Sequence, residues 1–291
     1  MRMMAVHAHP DDEASKGAGT MAKYVAEGHR VRVVTCTGGE RGDILNPRLE
    51  NDAQIIDNLV TVRRSEMAAA ARALGIEHAW LGFVDSGLPE GDPMPPLPEG
   101  CFALAPDSQT VPALVAQIRD FRPHVLTTYN EIGGYPHPDH IATHKISLAA
   151  VDAAADPDYH PELGEPWQVS KVYYDVSFSQ DRLVAIHDAM IERDLESPFM
   201  EWLKSRGDRP QRTATARIEV SDYFPQRDAA LRAHATQIDP EGFFFQVPRD
   251  LEAEVWPWEE FELARTVVDV AEMEDDLFAG IDDGADSDKV R

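Results

Sequence analysis

Over the first two thirds of the chain, short apolar runs alternate with segments in which apolar residues recur every three to four positions. MMAVHA precedes GTMAKYVAEGH, RVRVVTCT precedes VRRSEMAAAARALG, HAWLGFV precedes VPALVAQIRDF, HVLTTY precedes HIATHKISLAAVDAAA, and KVYYDVSF precedes DRLVAIHDAMIERD. The helical period predicts amphipathic helices, and the near-continuous, β-branched runs predict strands that meet water on neither face. Their alternation predicts an α/β fold, a Rossmann-like and mostly parallel sheet with helices on both faces. The Pro-rich stretch LPEGDPMPPLPEG, residues 88–100, interrupts this order, because each proline lacks an amide donor and restricts its predecessor. It predicts a long connection that serves as a pocket wall or as a surface spacer.

Beyond residue 196 the pattern loosens into a strand-like ARIEV, the helix-period run YFPQRDAALRAHATQI and an aromatic PEGFFFQVP. The expectation is one domain over residues 1–281. Its core sheet lies within about 1–178, an elaboration over about 179–281 wraps the sheet and shapes a substrate pocket, and an acidic tail without fixed structure covers 282–291. The chain has 291 residues, enough to bury a full core without staples. Its two cysteines, Cys36 in an apolar run and Cys101 in a Pro-rich stretch, form no disulfide framework, which argues for a reducing, cytoplasmic setting. A net charge of −25 disfavours nucleic acid and anionic lipid as partners, and no window approaches the roughly 18 apolar residues of a membrane span. A small-molecule substrate remains; the pattern says nothing of oligomeric state.

Two polar clusters change the picture. In an open α/β sheet, ligands bind beyond the carboxyl ends of the strands. HAHPDDE follows the first predicted strand and YPHPDHIATH follows the strand HVLTTY, so both fall at that edge. Together they supply imidazoles and carboxylates in the proportions of a catalytic Zn²⁺ or Fe²⁺ site, in which three protein ligands leave a position for water. Asp11 and Asp12 can divide the work, one ligating and one accepting a proton. Burying so many ionisable groups without a function would be costly. Spacing leaves the third ligand open: His140 and His144 share a helix face, and His137 lies in the loop before them.

These residues resemble the zinc-dependent N-deacetylase family, which includes the deacetylases of mycothiol, bacillithiol and glycosylphosphatidylinositol synthesis. The blocks VHAHPDDEASKGAGT, TGGERGDILNP, WLGFVDSGLP, FRPHVLTTY, GGYPHPDHIATH, YFPQRDAALRAHATQIDP, WPWEEFELAR and LFAGI are similar to its branch of mycothiol S-conjugate amidases, over roughly residues 4–281. The resemblance implies His9, Asp12 and His140 as ligands of one zinc ion. It implies Asp11 as general base, His137 as general acid or electrostatic stabiliser, and Tyr135 as the group polarising the amide carbonyl. Asp139 is expected to orient His137. Arg63 and Asp85 match positions that grip sugar and inositol hydroxyls, with Glu40 and Arg41 beside them, and Lys16 is expected to face the acyl part of the substrate. His144 and His234 receive no role, and Cys36 is expected to pack rather than ligate.

The rival within this chemistry is a deacetylase of N-acetylglucosaminyl-inositol. A nonenzymatic nucleotide-binding module is disfavoured, since TGGERG lacks the spacing G-x-G-x-x-G and the carboxylates of HPDDE would repel pyrophosphate.

Overall fold

The computed structural model describes residues 1–206 and 212–282. In chain order its elements are β1 (Arg2–His7), α1 (Asp12–Ser15), α2 (Ala18–Ala26), β2 (Arg30–Thr37), α3 (Ala53–Asp57), α4 (Leu59–Leu74), β3 (Glu77–Phe83), α5 (Asp107–Phe121), β4 (Val125–Thr128), α6 (Pro138–Ala155), β5 (Lys171–Asp175), α7 (Gln180–Glu192), α8 (Met200–Arg206), β6 (Ala216–Glu219), α9 (Phe224–Ala233), α10 (Arg249–Val255) and β7 (Trp258–Thr266). Each of the five apolar runs became a strand, and each helix-period segment paired with it became a helix.

Seven strands form one sheet in the order β3-β2-β1-β4-β5-β7-β6. The first five are parallel, with Met3 opposite Val31 on one side and Val125 on the other. β7 runs antiparallel to both β5 and β6. From β1 the chain winds outward to β2 and β3, then returns to place β4 on the opposite side, so the order reverses between β1 and β4. In such sheets that crevice is where ligands bind.

Both faces are covered. Met3, Ala5, Val31 and Val33 pack with Met21, Met67 and Leu231 on the α2, α4 and α9 side, while Met4, Val6, Val34 and Leu126 pack with Leu114, Ile118 and Ile146 of α5 and α6. Burial on both faces explains why these strands read as unbroken apolar runs. A third cluster, built on Leu183, Ile186, Phe199, Val247 and Leu251, lies under α7 and α10.

The segment beyond residue 178 does more than wrap the sheet: it supplies two of the seven strands. β7, WEEFELART, carries Glu259, Glu260, Glu262 and Arg265 among its apolar residues, so it lacks the unbroken apolar run of the parallel strands. Residues 88–100 contain no helix or strand, as their prolines require. Cys36 and Cys101 are both buried free thiols, Cys36 within the α5 and α6 cluster. Among the described residues no helix is long and apolar enough to cross a membrane. The acidic tail, from residue 283 on, lies outside the described residues.

Candidate metal centre and active site

At the end of β1 the chain turns sharply so that His9, Asp11 and Asp12 all sit above the crevice. Asp11 holds the turn at φ 140°, a backbone conformation that L-residues rarely adopt and that costs on the order of 1–3 kcal/mol. Such strain persists only where neighbours enforce it. Here Glu13 accepts the Asp11 amide at 3.1 Å, and Glu13 is gripped by His234 Nε2 at 2.6 Å, both side chains being fully buried. Gln237 donates to the Pro10 carbonyl from the same segment. The string RAHATQ, given no role from sequence, therefore fastens the HPDDE turn from the far end of the chain.

The second cluster is carried by the start of α6. Pro138 occupies the first turn and His137 caps it, its Nδ1 accepting the Asp139 amide at 3.1 Å. Gly133, at φ 77°, passes so close that a Cβ there would meet the His140 Cβ at 2.7 Å, and its carbonyl takes the His140 Nδ1 proton at 2.9 Å. Only glycine fits that approach.

Two imidazoles now come close to one carboxylate. A carbonyl can only accept, so His140 is protonated on Nδ1, and burial pushes its pKa down to about 3, leaving a neutral ring with a bare Nε2. That Nε2 is buried, has no hydrogen-bond partner, and lies 3.5 Å from Asp12 Oδ2. His9 is held at the outer nitrogen too, Nε2 meeting Asp139 Oδ2 at 3.2 Å, which turns Nδ1 toward the same Asp12 oxygen at 3.6 Å. Two imidazole nitrogens within 3.6 Å of one carboxylate oxygen, with their other sides anchored, suit a cation site. Burial opposes charge on His9, but Asp12, Asp139 and Asp85 outweigh it and hold its pKa well above the ordinary value, so the cluster attracts positive charge. Two groups of possible ligand atoms lie within 4.8 Å of one another among the described residues, His9 with His137 and His140, and His9 with Asp85, His137 and Asp139; Asp12 is in neither.

The two aspartates are pushed apart. Burial, with the charge of Asp12 added, raises Asp11 to about 6. Asp12 is also buried, but Lys16 and the two histidines hold its pKa well below the ordinary range. A pair of carboxylates split in this way can take different proton-transfer roles. His137 is buried, which with the nearby His9 lowers its pKa; because Nδ1 accepts from the backbone, the neutral ring carries its proton on Nε2. Tyr135 is 47% exposed, its ring 4.7 Å from that of His140, and partial desolvation with the nearby carboxylates Asp12 and Asp11 raises its pKa, so it stays protonated.

Several expected roles are placed differently. The Asp139 carboxylate, taken up by Ser86 and His9, braces His9 rather than His137. The Lys16 ammonium donates to Asp12 Oδ1 at 2.6 Å instead of standing free toward an acyl group. Arg63 is 1% exposed, and its guanidinium donates to the carbonyls of Gly39, Gly42 and Asp43, so it shapes the pocket wall from behind. Asp85 accepts from the amides of Arg41 and Gly87, and Glu40 accepts the Asp85 amide, making Glu40, Arg41 and Asp85 one locked loop beside His9. His144 points elsewhere, its Nδ1 on the Tyr129 carbonyl at 3.0 Å.

Tyr129, passed over in the run HVLTTY, is central. Its hydroxyl donates to Asp12 Oδ2 at 2.6 Å, accepts the Ala8 amide at 2.8 Å, and its ring stacks on His140 at 4.2 Å. Tyr129→Phe keeps the stack and removes the brace, and it is expected to weaken metal binding by about 10- to 100-fold. Chelator competition measures this, and unchanged affinity would show that Asp12 is oriented without the tyrosine.

The comparisons with known proteins follow the same lines. The family described as GlcNAc-PI de-N-acetylase (PIG-L) matches residues 4–151. The chain is 58% identical over 289 residues to mycothiol S-conjugate amidase of Streptomyces coelicolor, covering 98% of this chain and 99% of that one. It is 42% identical to 1D-myo-inositol 2-acetamido-2-deoxy-alpha-D-glucopyranoside deacetylase of Geodermatophilus obscurus, over 96% of this chain and 98% of that protein. Among solved structures it is similar in fold to N,N'-diacetylchitobiose deacetylase of Pyrococcus horikoshii, with a TM-score of 0.61 at 17% identity, over 90% of this chain and 83% of the other. With the strand-end cluster and the near full-length identity together, the chain belongs to the PIG-L family of GlcNAc-PI de-N-acetylases.

Proposed function

We propose that the chain is a zinc-dependent amidohydrolase that cleaves mycothiol S-conjugates at the amide joining the cysteinyl group to glucosamine. The observation that carries the chemistry is the bare Nε2 of His140 facing Asp12 Oδ2 beside His9, with Asp11 adjacent and raised to about 6. The 58% identity to the Streptomyces coelicolor amidase supports the substrate. The two buried free thiols suit the reducing cytosol in which such conjugates form.

His9, Asp12 and His140 would hold the ion, one per chain, with Fe²⁺ as the alternative occupant. Bound there, the metal supplies Lewis acidity, bringing the pKa of water toward about 7 and polarising the amide carbonyl. Asp11 takes the proton of the attacking water, a task suited to a carboxylate lifted toward neutrality. Tyr135 and His137 Nε2 donate hydrogen bonds to the oxygen that gains charge as the carbonyl carbon becomes tetrahedral. The C–N bond then breaks, Asp11 returns the proton to the leaving glucosamine nitrogen, and the products are an N-acetylcysteine S-conjugate and glucosaminyl-inositol. Asp139 and Ser86 keep the His9 ring in place throughout. This reaction disposes of electrophiles trapped on the thiol.

A second reading, deacetylation of N-acetylglucosaminyl-inositol, is supported by the 42% identity to the Geodermatophilus deacetylase. Purified protein assayed on both substrates decides: higher kcat/KM on the conjugate supports the amidase, and higher kcat/KM on the acetylated sugar overturns it. Because Lys16 is bonded to Asp12, Lys16→Ala is expected to cut kcat/KM for both substrates by a similar factor, about tenfold. A loss confined to the conjugate would restore Lys16 as an acyl contact.

A further inference from the structure

A cavity opens on the β5 side of the HPDDE turn. Ala14, Ser15 and Gly17 form its near wall. The Ser15 hydroxyl accepts from the Lys16 ammonium at 3.1 Å, and that ammonium also donates to Asp12, so one side chain separates the cavity from the reacting centre. The remaining walls are largely apolar and aromatic, with Phe178, Leu183, Phe199, Phe243, Val247 and Trp258 contributing. Arg182, Arg227 and Arg249 also line it, held in one network in which all three donate to Glu252 and Arg249 also meets Asp228.

Asp175, at the end of β5, differs from the hydrogen-bonded carboxylates Glu252, Glu259 and Glu260 of the lining. Both of its carboxylate oxygens are buried, and neither has a hydrogen-bond partner. Burial pushes its pKa up to about 8. A neutral carboxylic acid presents one O–H donor beside one carbonyl acceptor, the complement of a secondary amide. Leaving both unmade in a buried wall is costly unless a ligand completes them.

We propose that this cavity is the acyl-side subsite: the acetamido group of the N-acetylcysteinyl half bonds to Asp175, and an aromatic substituent on its sulfur packs among Phe178, Phe243 and Trp258. The inference rests on the amidase reading. It gives the substrate a direction across the sheet, with the sugar toward the Glu40, Arg41 and Asp85 loop, the scissile amide at the β1/β4 crevice, and the acyl half beyond Lys16. A deacetylase, whose acyl group ends at a methyl, has no use for an aromatic cavity at this place.

The test compares S-benzyl and S-methyl conjugates of mycothiol. The wild-type protein is expected to favour the benzyl conjugate in kcat/KM by about tenfold or more, the scale of burying one ring. Ser177→Phe, which fills the cavity from its rim, should bring that ratio toward one and leave S-methyl and N-acetylglucosaminyl-inositol hydrolysis unchanged; Val247→Phe fills it from the opposite wall if the first variant does not fold. Asp175→Leu keeps the shape, removes an unpartnered buried carboxyl, and should raise KM for both conjugates about tenfold while sparing the acetylated sugar. Equal wild-type rates on the two conjugates, or a ratio untouched by either filling variant, would overturn the subsite with the amidase reading intact. If neither conjugate is hydrolysed the amidase reading fails, and calorimetry with N-acetyl-S-benzylcysteine methylamide decides the cavity. Binding to wild-type protein that is lost in Asp175→Leu supports it, and no binding, or equal binding to both, overturns it.

Discussion

His140→Ala protein is expected to purify with little bound metal, while His144→Ala retains close to one divalent ion per chain. The two residues are four apart on α6 and look equivalent in the sequence, yet they face different surroundings. His140 is fixed by the Gly133 carbonyl so that its bare Nε2 meets Asp12, whereas His144 spends its Nδ1 on the Tyr129 carbonyl and packs against Tyr174. Removing a ligand from a three-ligand site should cost more than the about 10- to 100-fold typical of losing an outer partner. Elemental analysis of the two purified variants reads the result directly. Metal lost from His144→Ala and kept by His140→Ala would overturn the ligand set.

Asp11→Asn should keep its metal and lose turnover by roughly 10²- to 10⁴-fold, the range for loss of a general base. The substitution preserves shape and removes the proton acceptor whose pKa burial has raised to about 6. Asp12→Asn is the control, because it exchanges one of the three converging acceptors for an amide and should lose metal and activity together. Metal content and rate measured on the same preparations separate the two. Near-normal turnover by metal-loaded Asp11→Asn would assign the base to another group.

The parallel core was legible because buried strands and amphipathic helices impose different periods on the chain, and the HPD strings stood out because charge at a core strand end needs a reason. What the pattern did not reveal was lateral support. Tyr129 lies in HVLTTY, where any aromatic residue would satisfy the strand, and only the fold brings its hydroxyl to Asp12. The sequence neighbours Asp139 and His137 suggested a partnership, but a capping histidine spends its Nδ1 on the Asp139 amide, freeing the carboxylate for His9 across the crevice. Arg63 matches sugar-gripping positions and Lys16 is expected to face the acyl group, but the loop carbonyls and the Asp12 carboxylate take up their donors. β7 escaped notice because charged residues interrupt its apolar run, and because it enters the sheet between β5 and β6, out of chain order.

The grip of His234 on Glu13 and of Gln237 on Pro10 also dates the site within the life of the polypeptide. Residues 9–140 contain every candidate ligand, and the family match ends at residue 151. At ribosomal rates of about 5–20 residues per second, the fasteners emerge roughly 5–20 s after His140 has been made. During that interval nothing holds Asp11 in its unfavourable backbone conformation, and the β5 edge waits for β7. A nascent chain in this state has the candidate ligands but not their alignment, so firm metal uptake is expected to follow synthesis of the His234 segment rather than to accompany that of the first half.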